Sequence, residues 1–335
     1  MTRRLIIERA GLQTSVQDLG RPGHIGLGLS RGGAADRSGF LDGLALTRNP
    51  LSTAAIEMAG MGGTFRFSEP TRIALSGAEM RVTLDGALLE WNASHDIKAG
   101  EKLNFGAATE GIYAYLHVEG GIETEIELGG RARHGIAGLG RALEDGNSLP
   151  IGQAQDATPP ERLPKSIVQS GPIRVIQGPQ TALFDKDTLA RFQATDFIRS
   201  ATGNRQGVRM DFDGAPFASG DQLSQVSDFI AEGDIQMTGD GAPYVLMADC
   251  QTMGGYPRIG SVIPVDLPRI AQAQPGHHIR FQIISLEEAD KLWQSDADAL
   301  ADRLKRLQPR TRDPREMTDL LSYELVDKPP PEIAG

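Results

Sequence analysis

Short apolar segments separated by glycine turns fill much of this sequence, and they constrain its fold more than any other feature. Six of them follow one another between residues 55 and 121: AIEMAG, TFRF, RIALSG, RVTLDG, KLNFG and IYAYLHVEGG. The turns contain Asp-Gly, Ala-Gly or Gly-Gly, which suit tight β-hairpins. With 40 glycines and only 5% aromatic residues, the composition favours many short strands over a helical bundle. We therefore expect a mainly β fold with a few helices.

Length and a break in this pattern predict two β domains. At 335 residues the chain is long for a single hydrophobic core. Residues 151–171 are polar, contain prolines and lack periodicity, so we interpret them as a linker. The expected divisions are β domains at residues 1–150 and 172–284, followed by a C-terminal helix and charged tail at 285–335.

Capping residues and apolar spacing predict the helices. Asp36 precedes a helical apolar pattern that Asn49-Pro50 ends. A second helix is expected near residues 181–191, and a third after Asp266. The periodicity of residues 286–307 predicts a single C-terminal helix.

Charge and hydropathy exclude several kinds of partner. The formal net charge is −10 and no Lys/Arg cluster occurs, so we predict no nucleic-acid partner. The start, MTRRLIIERAG, has too few apolar residues for a signal peptide, and no run approaches transmembrane length. We expect a cytoplasmic protein with no membrane partner.

Standard metal and nucleotide motifs are missing from the sequence. The six histidines show no HxH or HExxH spacing, and one cysteine cannot build a cysteine-rich zinc site, so we predict no metal. There is no GxxxxGK[ST] P-loop, and Gly26-Leu27-Gly28 lacks the context of a dinucleotide-binding fingerprint. No Met-Lys-Met type loop occurs, so we expect that this chain does not itself carry biotin.

Cys250 lies in the stretch ADCQTMGGYPRIG and is the only thiol. A reactive cysteine needs a cationic or histidine neighbour, whereas Asp249 and Gln251 flank this one. We interpret Cys250 as a small buried filler at the end of a strand.

Two polar loops on glycine scaffolds, residues 14–37 and 249–258, are the candidate ligand-binding elements. Glycines let a backbone approach a ligand closely and leave N–H groups free for an oxyanion. Arginines that could clamp a carboxylate are Arg21 and Arg258. Carboxylates with acid–base capacity are Asp18, Asp36 and Glu57. The same residue types also serve as turn and cap residues, so the residues alone leave function open.

Several motifs together resemble one known family. They are TSVQDLGRPG, GLSRGGAAD, AIEMAG, YLHVEGGI, GLGRALEDGNSLPIG and ADCQTMGGYPRIGSVIPVDLPRIAQAQPG. This combination is similar to the KipA-like family, also known as the allophanate hydrolase subunit 2 or biotin-dependent carboxyltransferase family, which includes the C-type subunit of 5-oxoprolinase. The resemblance covers residues 4–284.

The resemblance implies a fold, partners and a reaction. The fold is two cyclophilin-like β-barrel domains. The partners are a KipI-like protein, which is the B-type subunit of 5-oxoprolinase, and a LamB/YcsF-type protein, which is its A-type subunit. In the 5-oxoprolinase members, the complex opens a cyclic amide with ATP hydrolysis, so ATP is expected as a cofactor shared with the partner.

Positions of the family pattern that this chain matches include Gln17, Asp18, Arg21, Asp36, Arg205, Gln251, Thr252, Gly254, Gly255 and Tyr256. We assign their roles, and that of Arg258, from residue type and loop placement. The catalytic candidates are Asp18, Arg21 and Asp36. The substrate-binding candidates are Gln17, Arg205, Gln251, Thr252, Gly254, Gly255, Tyr256 and Arg258. We expect the arginines and the Gly254-Gly255 amides to stabilise developing charge, and a carboxylate to place water.

The chain departs from the family pattern at four places. It has NRQGVR (204–209) for the usual D-R-M-G-Y-R, and LGGRAR (128–133) for the usual LGS-x-ST. It has Ser227-Asp228-Phe229 for Ser-Glu-Gly, and Leu44 for a helix asparagine. These losses of polar side chains indicate a changed substrate or weakened chemistry.

Three functions follow from these observations. The first is a component of an ATP-dependent amide or lactam hydrolase. The second is carboxyl transfer from carboxybiotin on another chain to a urea-like amide. The third is non-enzymatic: an antagonist that binds a KipI-like kinase inhibitor.

Overall fold

The computed structural model describes residues 3–153, 159–164, 170–218 and 225–310. The first strands are β1 (Arg4–Arg9), β2 (Thr14–Gln17), β3 (Ala55–Ala59), β4 (Thr64–Phe67), β5 (Thr71–Leu84), β6 (Ala87–Leu88), β7 (Ser94–Ile97), β8 (Leu103–Val118), β9 (Ser148–Pro150) and β10 (Glu161–Arg162). The later strands are β11 (Ile173–Ile176), β12 (Phe197–Asn204), β13 (Gly207–Asp211), β14 (Asp228–Phe229), β15 (Asp234–Met237), β16 (Pro243–Leu246), β17 (Met253–Gly254), β18 (Arg258–Val262), β19 (His278–Ile279), β20 (Phe281–Ile283) and β21 (Gln308–Pro309). The helices are α1 (Arg37–Thr47), α2 (Lys186–Ala194), α3 (Leu267–Gln272), α4 (Leu286–Leu292) and α5 (Asp296–Arg306).

Two large sheets dominate the described residues. The first joins β2-β3-β8-β4-β1-β9, and β5 adds β6 and β7 to it by pairing with them and with β8. The second has the order β19-β12-β13-β16-β15-β18-β11-β20, in which β11 and β20 are parallel. The sheets form a half-barrel and a nearly closed barrel. The expected mainly β fold with few helices is confirmed.

The longest strands correct the predicted pattern of short hairpins. RIALSG and RVTLDG belong to the single strand β5, and KLNFG and IYAYLHVEGG share β8. Gly77 and Gly111 adopt positive φ values of 75° and 80°, and the β5–β8 register shifts beside them. These glycines therefore form bulges that bend a continuous strand pair, where the sequence suggested turns.

Helix α1 begins as predicted. The Asp36 carboxylate accepts the Gly39 N–H at 2.9 Å, and the chain leaves the helix at Arg48 with a left-handed φ of 53°. Its apolar face, which includes Phe40 and Leu44, joins a buried cluster that continues into the second sheet. A separate apolar cluster is formed mainly by side chains of the first sheet. The helix therefore lies where the two sheets share a core.

Other helices differ in detail from the sequence expectation. The region near 181–191 is a 3-10 turn (Thr181–Leu183) followed by α2, because Asp185 caps the helix later. The single helix expected at 286–307 is two helices, α4 and α5, since Ser295 caps a second start after the break. Asp266 precedes α3, but its carboxylate binds Arg174 instead of a helix N–H.

The first loop, the linker and the C-terminal tail differ from the sequence expectation or lie partly outside the described residues. Residues 14–37 were expected to be a loop, but Thr14–Gln17 is strand β2, because it pairs along β3. Much of the expected linker, at 154–158 and 165–169, lies outside the described residues, as does the tail beyond 310. The described part of the tail, β21, pairs with β10.

Candidate functional site

A cleft of about 350 Å³ is lined by residues of both sheets. The first sheet and its loops contribute Gln17, Glu57, Tyr113 and Arg133. The second contributes Arg205 and Asp249. The cleft therefore exists only where the two halves of the chain meet.

Strand alternation explains why one wall of this cleft is polar. Glu57 of β3 pairs with Ser15 of β2 on one side and with Tyr115 of β8 on the other. Side chains of neighbouring residues point to opposite faces of a sheet. Val16 and Ile56 accordingly pack into the apolar cluster of the first sheet, while Ser15 and Glu57 face the cleft.

Glu57 is the buried carboxylate at the centre of this wall, with 1% of its surface exposed. It accepts hydrogen bonds from the Ala35 N–H and the Tyr115 hydroxyl, both at 2.9 Å. Its other oxygen accepts from Arg205 at 2.5 Å. These three donors compensate the cost of burying the charge.

Arg205 connects the two halves of the cleft. It lies in the two-residue hairpin loop between β12 and β13, and donates to both Asp249 oxygens at 2.8 and 2.9 Å. It also donates to the Gly33 carbonyl at 2.6 Å. Burial alone would lower the pKa of Arg205, but the Glu57 and Asp249 carboxylates hold that pKa well above its usual range. The guanidinium is therefore a permanent charge between two carboxylates.

Tyr113 lines the cleft near this charged group. Burial, together with the nearby Glu57 carboxylate, raises the pKa of Tyr113 to about 12. The phenol therefore remains protonated at neutral pH, and it can donate or accept a hydrogen bond in the cleft.

Two polar groups in the cleft lack protein partners. The Gln17 amide donates to Ser15 Oγ at 2.9 Å and to the Arg133 carbonyl at 3.1 Å, but its Oε1 has no partner among the described residues. Within the same residues, the half-buried Arg133 guanidinium makes no hydrogen bond or ion pair. The Arg133 cation is thus available to a ligand, whereas the unpaired Gln17 acceptor is buried.

Comparison with known proteins identifies the family. Residues 27–283 match the family described as carboxyltransferase domain, subdomain A and B. The chain belongs to this carboxyltransferase-domain family. The resemblance inferred from the sequence motifs is therefore confirmed.

Relatives of this carboxyltransferase-domain protein include components of larger enzymes. The C-type subunit of 5-oxoprolinase from Escherichia coli is 34% identical over 294 residues, which cover 87% of this chain and 94% of that protein. Urea amidolyase of Saccharomyces cerevisiae is 28% identical over 352 residues, covering 96% of this chain and 19% of that protein.

A solved structure shows the same arrangement. The urea amidolyase of Kluyveromyces lactis superposes with a TM-score of 0.82 at 25% identity, covering 93% of this chain. The aligned part is 21% of that longer enzyme, so this carboxyltransferase-domain protein corresponds to one portion of it.

The two loops that the sequence predicted to bind a ligand, residues 14–37 and 249–258, lie against each other. The Gly32 N–H donates to the Ala248 carbonyl at 3.0 Å. Arg205 then joins Gly33 of the first loop to Asp249 of the second. Of the residues singled out from sequence, Gln17, Glu57 and Arg205 line the cleft.

Asp18 and Arg21 hold the loop that carries Arg133. The Asp18 carboxylate accepts from the backbone N–H groups of Gly20 and Arg131, at 2.7 and 2.6 Å. Arg21 is 1% exposed and donates to the carbonyls of Glu127 and Gly130, at 2.7 and 3.1 Å. Neither residue belongs to the cleft-lining set.

Asp36 joins the two halves of the chain as well as capping α1. Its second carboxylate oxygen accepts from the Gln272 amide of α3 at 2.6 Å, and its N–H donates to the Tyr115 hydroxyl at 2.8 Å. Burial raises the pKa of Asp36 to about 6. The cleft-lining set does not include Asp36.

The candidates from the second loop, residues 251–256, lie in or next to β17, which pairs with β14. None of them lines the cleft. Thr252 is buried, Gln251 is exposed, and Tyr256 is 41% exposed. Gly254 pairs with Asp228 within the ribbon, and the Gly255 carbonyl accepts the Gln225 N–H.

Arg258 is committed to the second half of the chain. Its guanidinium binds Asp228, Asp234 and the Phe229 carbonyl, and it also contacts the Gln180 side chain. Arg21 and Arg258 thus have separate partners, and the structure does not bring them together as one carboxylate clamp.

Cys250 is buried, with 2% of its surface exposed, and packs with Ile230 and Leu246. Burial and the nearby carboxylates raise the pKa of its thiol to about 12. The interpretation as a structural filler is confirmed.

The described residues contain neither a metal-binding group of side chains nor a membrane-spanning helix. No group of three or more His, Cys, Asp or Glu side chains in that part of the chain is arranged to hold a metal ion. No helix there combines the length and apolarity that crossing a membrane requires.

Sequence reasoning missed Asp249, Tyr113 and Arg133 as cleft residues. The sequence marks Asp249 only as the first residue of the 249–258 loop and as the neighbour of Cys250. A usable signal lay in AIEMA, where one carboxylate interrupts a buried strand and so requires a cationic partner. Which arginine supplies that partner depends on distant chain segments, 148 residues apart for Glu57 and Arg205.

Proposed function

We propose that this protein is a component of an ATP-dependent hydrolase that opens a small cyclic amide, with 5-oxoproline as the first candidate substrate. It would act in a complex with a KipI-like protein of the B type and a LamB/YcsF-type protein of the A type. The observation that carries this proposal is the 34% identity to the C-type subunit of 5-oxoprolinase, over 94% of that protein's length. Such coverage supports a common role as well as a common fold.

The unpaired arginine of the cleft favours an anionic lactam. Glu57 and Asp249 share Arg205, while Arg133 has no partner among the described residues. A guanidinium binds a carboxylate well, because its N–H donors match the two oxygens. The carboxylate of 5-oxoproline would meet Arg133, whereas urea has no such group.

The remaining cleft residues suit the amide and its attacking water. The Tyr113 hydroxyl lines the cleft and can accept the ring N–H. Asp249 uses two acceptor positions on Arg205, and a carboxylate has about four. A free lone pair of Asp249 can therefore orient water, the task assigned from sequence to Asp18 or Asp36.

The cleft does not suit a nucleoside triphosphate. Arg133 is its one uncommitted guanidinium among the described lining residues, and no glycine-rich P-loop accompanies it. We therefore assign the nucleotide to the partner's side of the complex.

Carboxyl transfer is the second candidate. It is favoured by the urea amidolyase similarity, which covers 96% of this chain in sequence and 93% in structure. The biotin would be carried by another chain, and the acceptor would be a neutral amide such as urea.

One experiment separates these functions. The chain would be co-expressed with its KipI-like and LamB/YcsF-type partners, and ATP hydrolysis and ring opening would be followed with 5-oxoproline, 2-pyrrolidinone and urea. Arg133→Gln should raise the KM for 5-oxoproline about ten- to hundredfold, the scale of one lost charged hydrogen bond. Turnover of 2-pyrrolidinone, which lacks the carboxylate, should change little.

The matched control is Arg81→Gln, which removes an exposed arginine from the outer face of β5. Carboxylation of urea by a biotinylated partner, without lactam opening, would support the second candidate. A stable complex that turns over no amide would instead support the antagonist role.

A further inference from the structure

The C-terminal helices cover a second cavity, of about 450 Å³, next to the loop that precedes α1. Helices α4 and α5 begin after residue 283, where the family match ends. One side of the cavity is formed by residues 31–38, and the opposite side includes Trp293 and Asp296. The C-terminal helices therefore touch a segment whose backbone also hydrogen-bonds to the cleft residues Arg205 and Glu57.

Ion pairs fasten α5 to this segment. Asp296 accepts from two nitrogens of Arg37, one of them at 2.6 Å, and lies 3.6 Å from an Arg31 nitrogen. Farther along α5, Arg303 donates to Asp42 at 2.5 Å and to Ser38 Oγ at 2.7 Å. Asp296 thus connects α5 to Arg31 of the loop and to Arg37 at the start of α1, while Arg303 contacts α1 farther along.

The same loop supplies backbone hydrogen bonds to the cleft. The Gly33 carbonyl accepts from Arg205 at 2.6 Å, and the Ala35 N–H donates to Glu57 at 2.9 Å. Gly32 and Gly33 both have positive φ, at 62° and 84°. Adjacent glycines leave a backbone with many accessible conformations, so contacts from outside must hold this loop in place.

We infer that Asp296 is a positioning residue for the cleft. By binding Arg37 and Arg31, it holds the 31–35 backbone where Gly33 and Ala35 can orient Arg205 and Glu57. Asp296 does not line the cleft. Its effect passes through the loop to the two charged groups of the cleft wall.

Hydrogen exchange tests this inference without reference to activity. Asp296→Asn should speed amide exchange in residues 31–36 about tenfold, the scale of one charged hydrogen bond, with the Ala35 amide as the direct reporter. The matched control is Asp298→Asn, which removes an exposed charge from the same first turn of α5. Equal exchange in the two variants would overturn the inference.

A reciprocal variant covers the case in which Asp296→Asn does not fold. Arg37→Gln breaks the same ion pair from the other side and should produce the same increase in exchange. The double variant should differ little from Asp296→Asn alone, because both substitutions remove the ion pair between Asp296 and Arg37. Additive effects, or unchanged exchange in Arg37→Gln, would contradict a shared role.

A kinetic measurement extends the test and rests on the proposed function. In the co-expressed complex, Asp296→Asn should lower kcat for lactam opening about three- to tenfold, and Asp296→Glu should recover part of the loss. If no lactam is turned over by the wild type while exchange responds as expected, the proposed function fails and the positioning role stands. If lactam turnover is normal in Asp296→Asn, the positioning role fails.

Discussion

The buried charged residues of the cleft are held in fixed positions by specific hydrogen-bond partners. Glu57 has three donors, and Arg205 uses its nitrogens on Glu57, Asp249 and Gly33. Such groups move little, since releasing any partner would leave a charge or polar atom buried without compensation. Arg133 is the contrast, for it lines the same cleft without a partner in the described chain.

Asp36 should give the protein a distinctive pH dependence. Burial raises its folded pKa to about 6 from an ordinary 3.8, so the folded state binds the proton more tightly than the unfolded state. Stability from this group is therefore present below pH 3.8 and falls as the pH rises through 6. The unfolding free energy of wild type relative to Asp36→Asn should fall by up to about 1.4 kcal/mol per pH unit in that window. Denaturant titrations at several pH values would measure it.

The matched control is Asp185→Asn, which alters the exposed cap of α2. Thr188 hydrogen bonds lower the pKa of Asp185, so its contribution to stability is lost as the pH falls instead. A wild-type minus Asp36→Asn difference that does not change between pH 4 and 6 would contradict this account of Asp36.

At the scale of elements, close contact between α1 and β8 fixes the helix on the first sheet. A Cβ on Gly43 would lie 2.0 Å from the ring of His117, whose two nitrogens have no hydrogen-bond partner in the described chain. Phe40 packs against the same ring at 4.7 Å between centroids. The helix can approach the strand this closely only with glycine at the contact.

Gly43→Ala should therefore destabilise the protein by about 1–3 kcal/mol, the usual cost of an overpacked core. In the Gly43→Ala/His117→Ala double variant, much of that cost should disappear, because the ring no longer occupies the space. Denaturation midpoints of the four proteins give the coupling energy. Strictly additive effects would show that the backbone shifts to accommodate the methyl group.

Element boundaries show where sequence reasoning succeeded locally. Asp36 caps the helix that its sequence context predicted, and Ser285 caps α4 where the predicted C-terminal helix begins, since a cap depends on residues three positions apart. Gly77 and Gly111 were misread as turns, because a bulge and a hairpin both use glycine at positive φ. Only pairing with the partner strand separates the two.

The whole molecule depends on contacts that join its two sheets. One buried cluster runs from Phe40 and Tyr115 to Phe197 and Phe281. Polar contacts across the same junction include Asp36 with Gln272 and Glu57 with Arg205. We expect the two halves to unfold together, because separating them would expose both kinds of contact.

Arg205→Met should be costly for this reason. It leaves Glu57 and Asp249 buried without their common cation, and breaking such a group typically costs about 3–5 kcal/mol. The urea midpoint should fall accordingly, and Arg205→Met/Glu57→Gln should recover part of the loss. The matched comparison is Arg209→Met, which removes a more exposed arginine of the adjacent strand. Equal losses of stability in Arg205→Met and Arg209→Met would show that the buried Glu57–Arg205–Asp249 group stabilises the protein no more than an exposed ion pair does.

Local patterns in the chain were sufficient for the mainly β character, the capped helices, the buried thiol and the family. Each depends on residues close together in sequence or on a motif that occurs as one continuous stretch. The membership of the cleft could not be obtained in this way. Glu57, Arg133, Arg205 and Asp249 come from four separate segments, and their meeting depends on strand register and on how two sheets pack. A buried carboxylate reveals that it needs a cation, but the fold alone selects which cation reaches it.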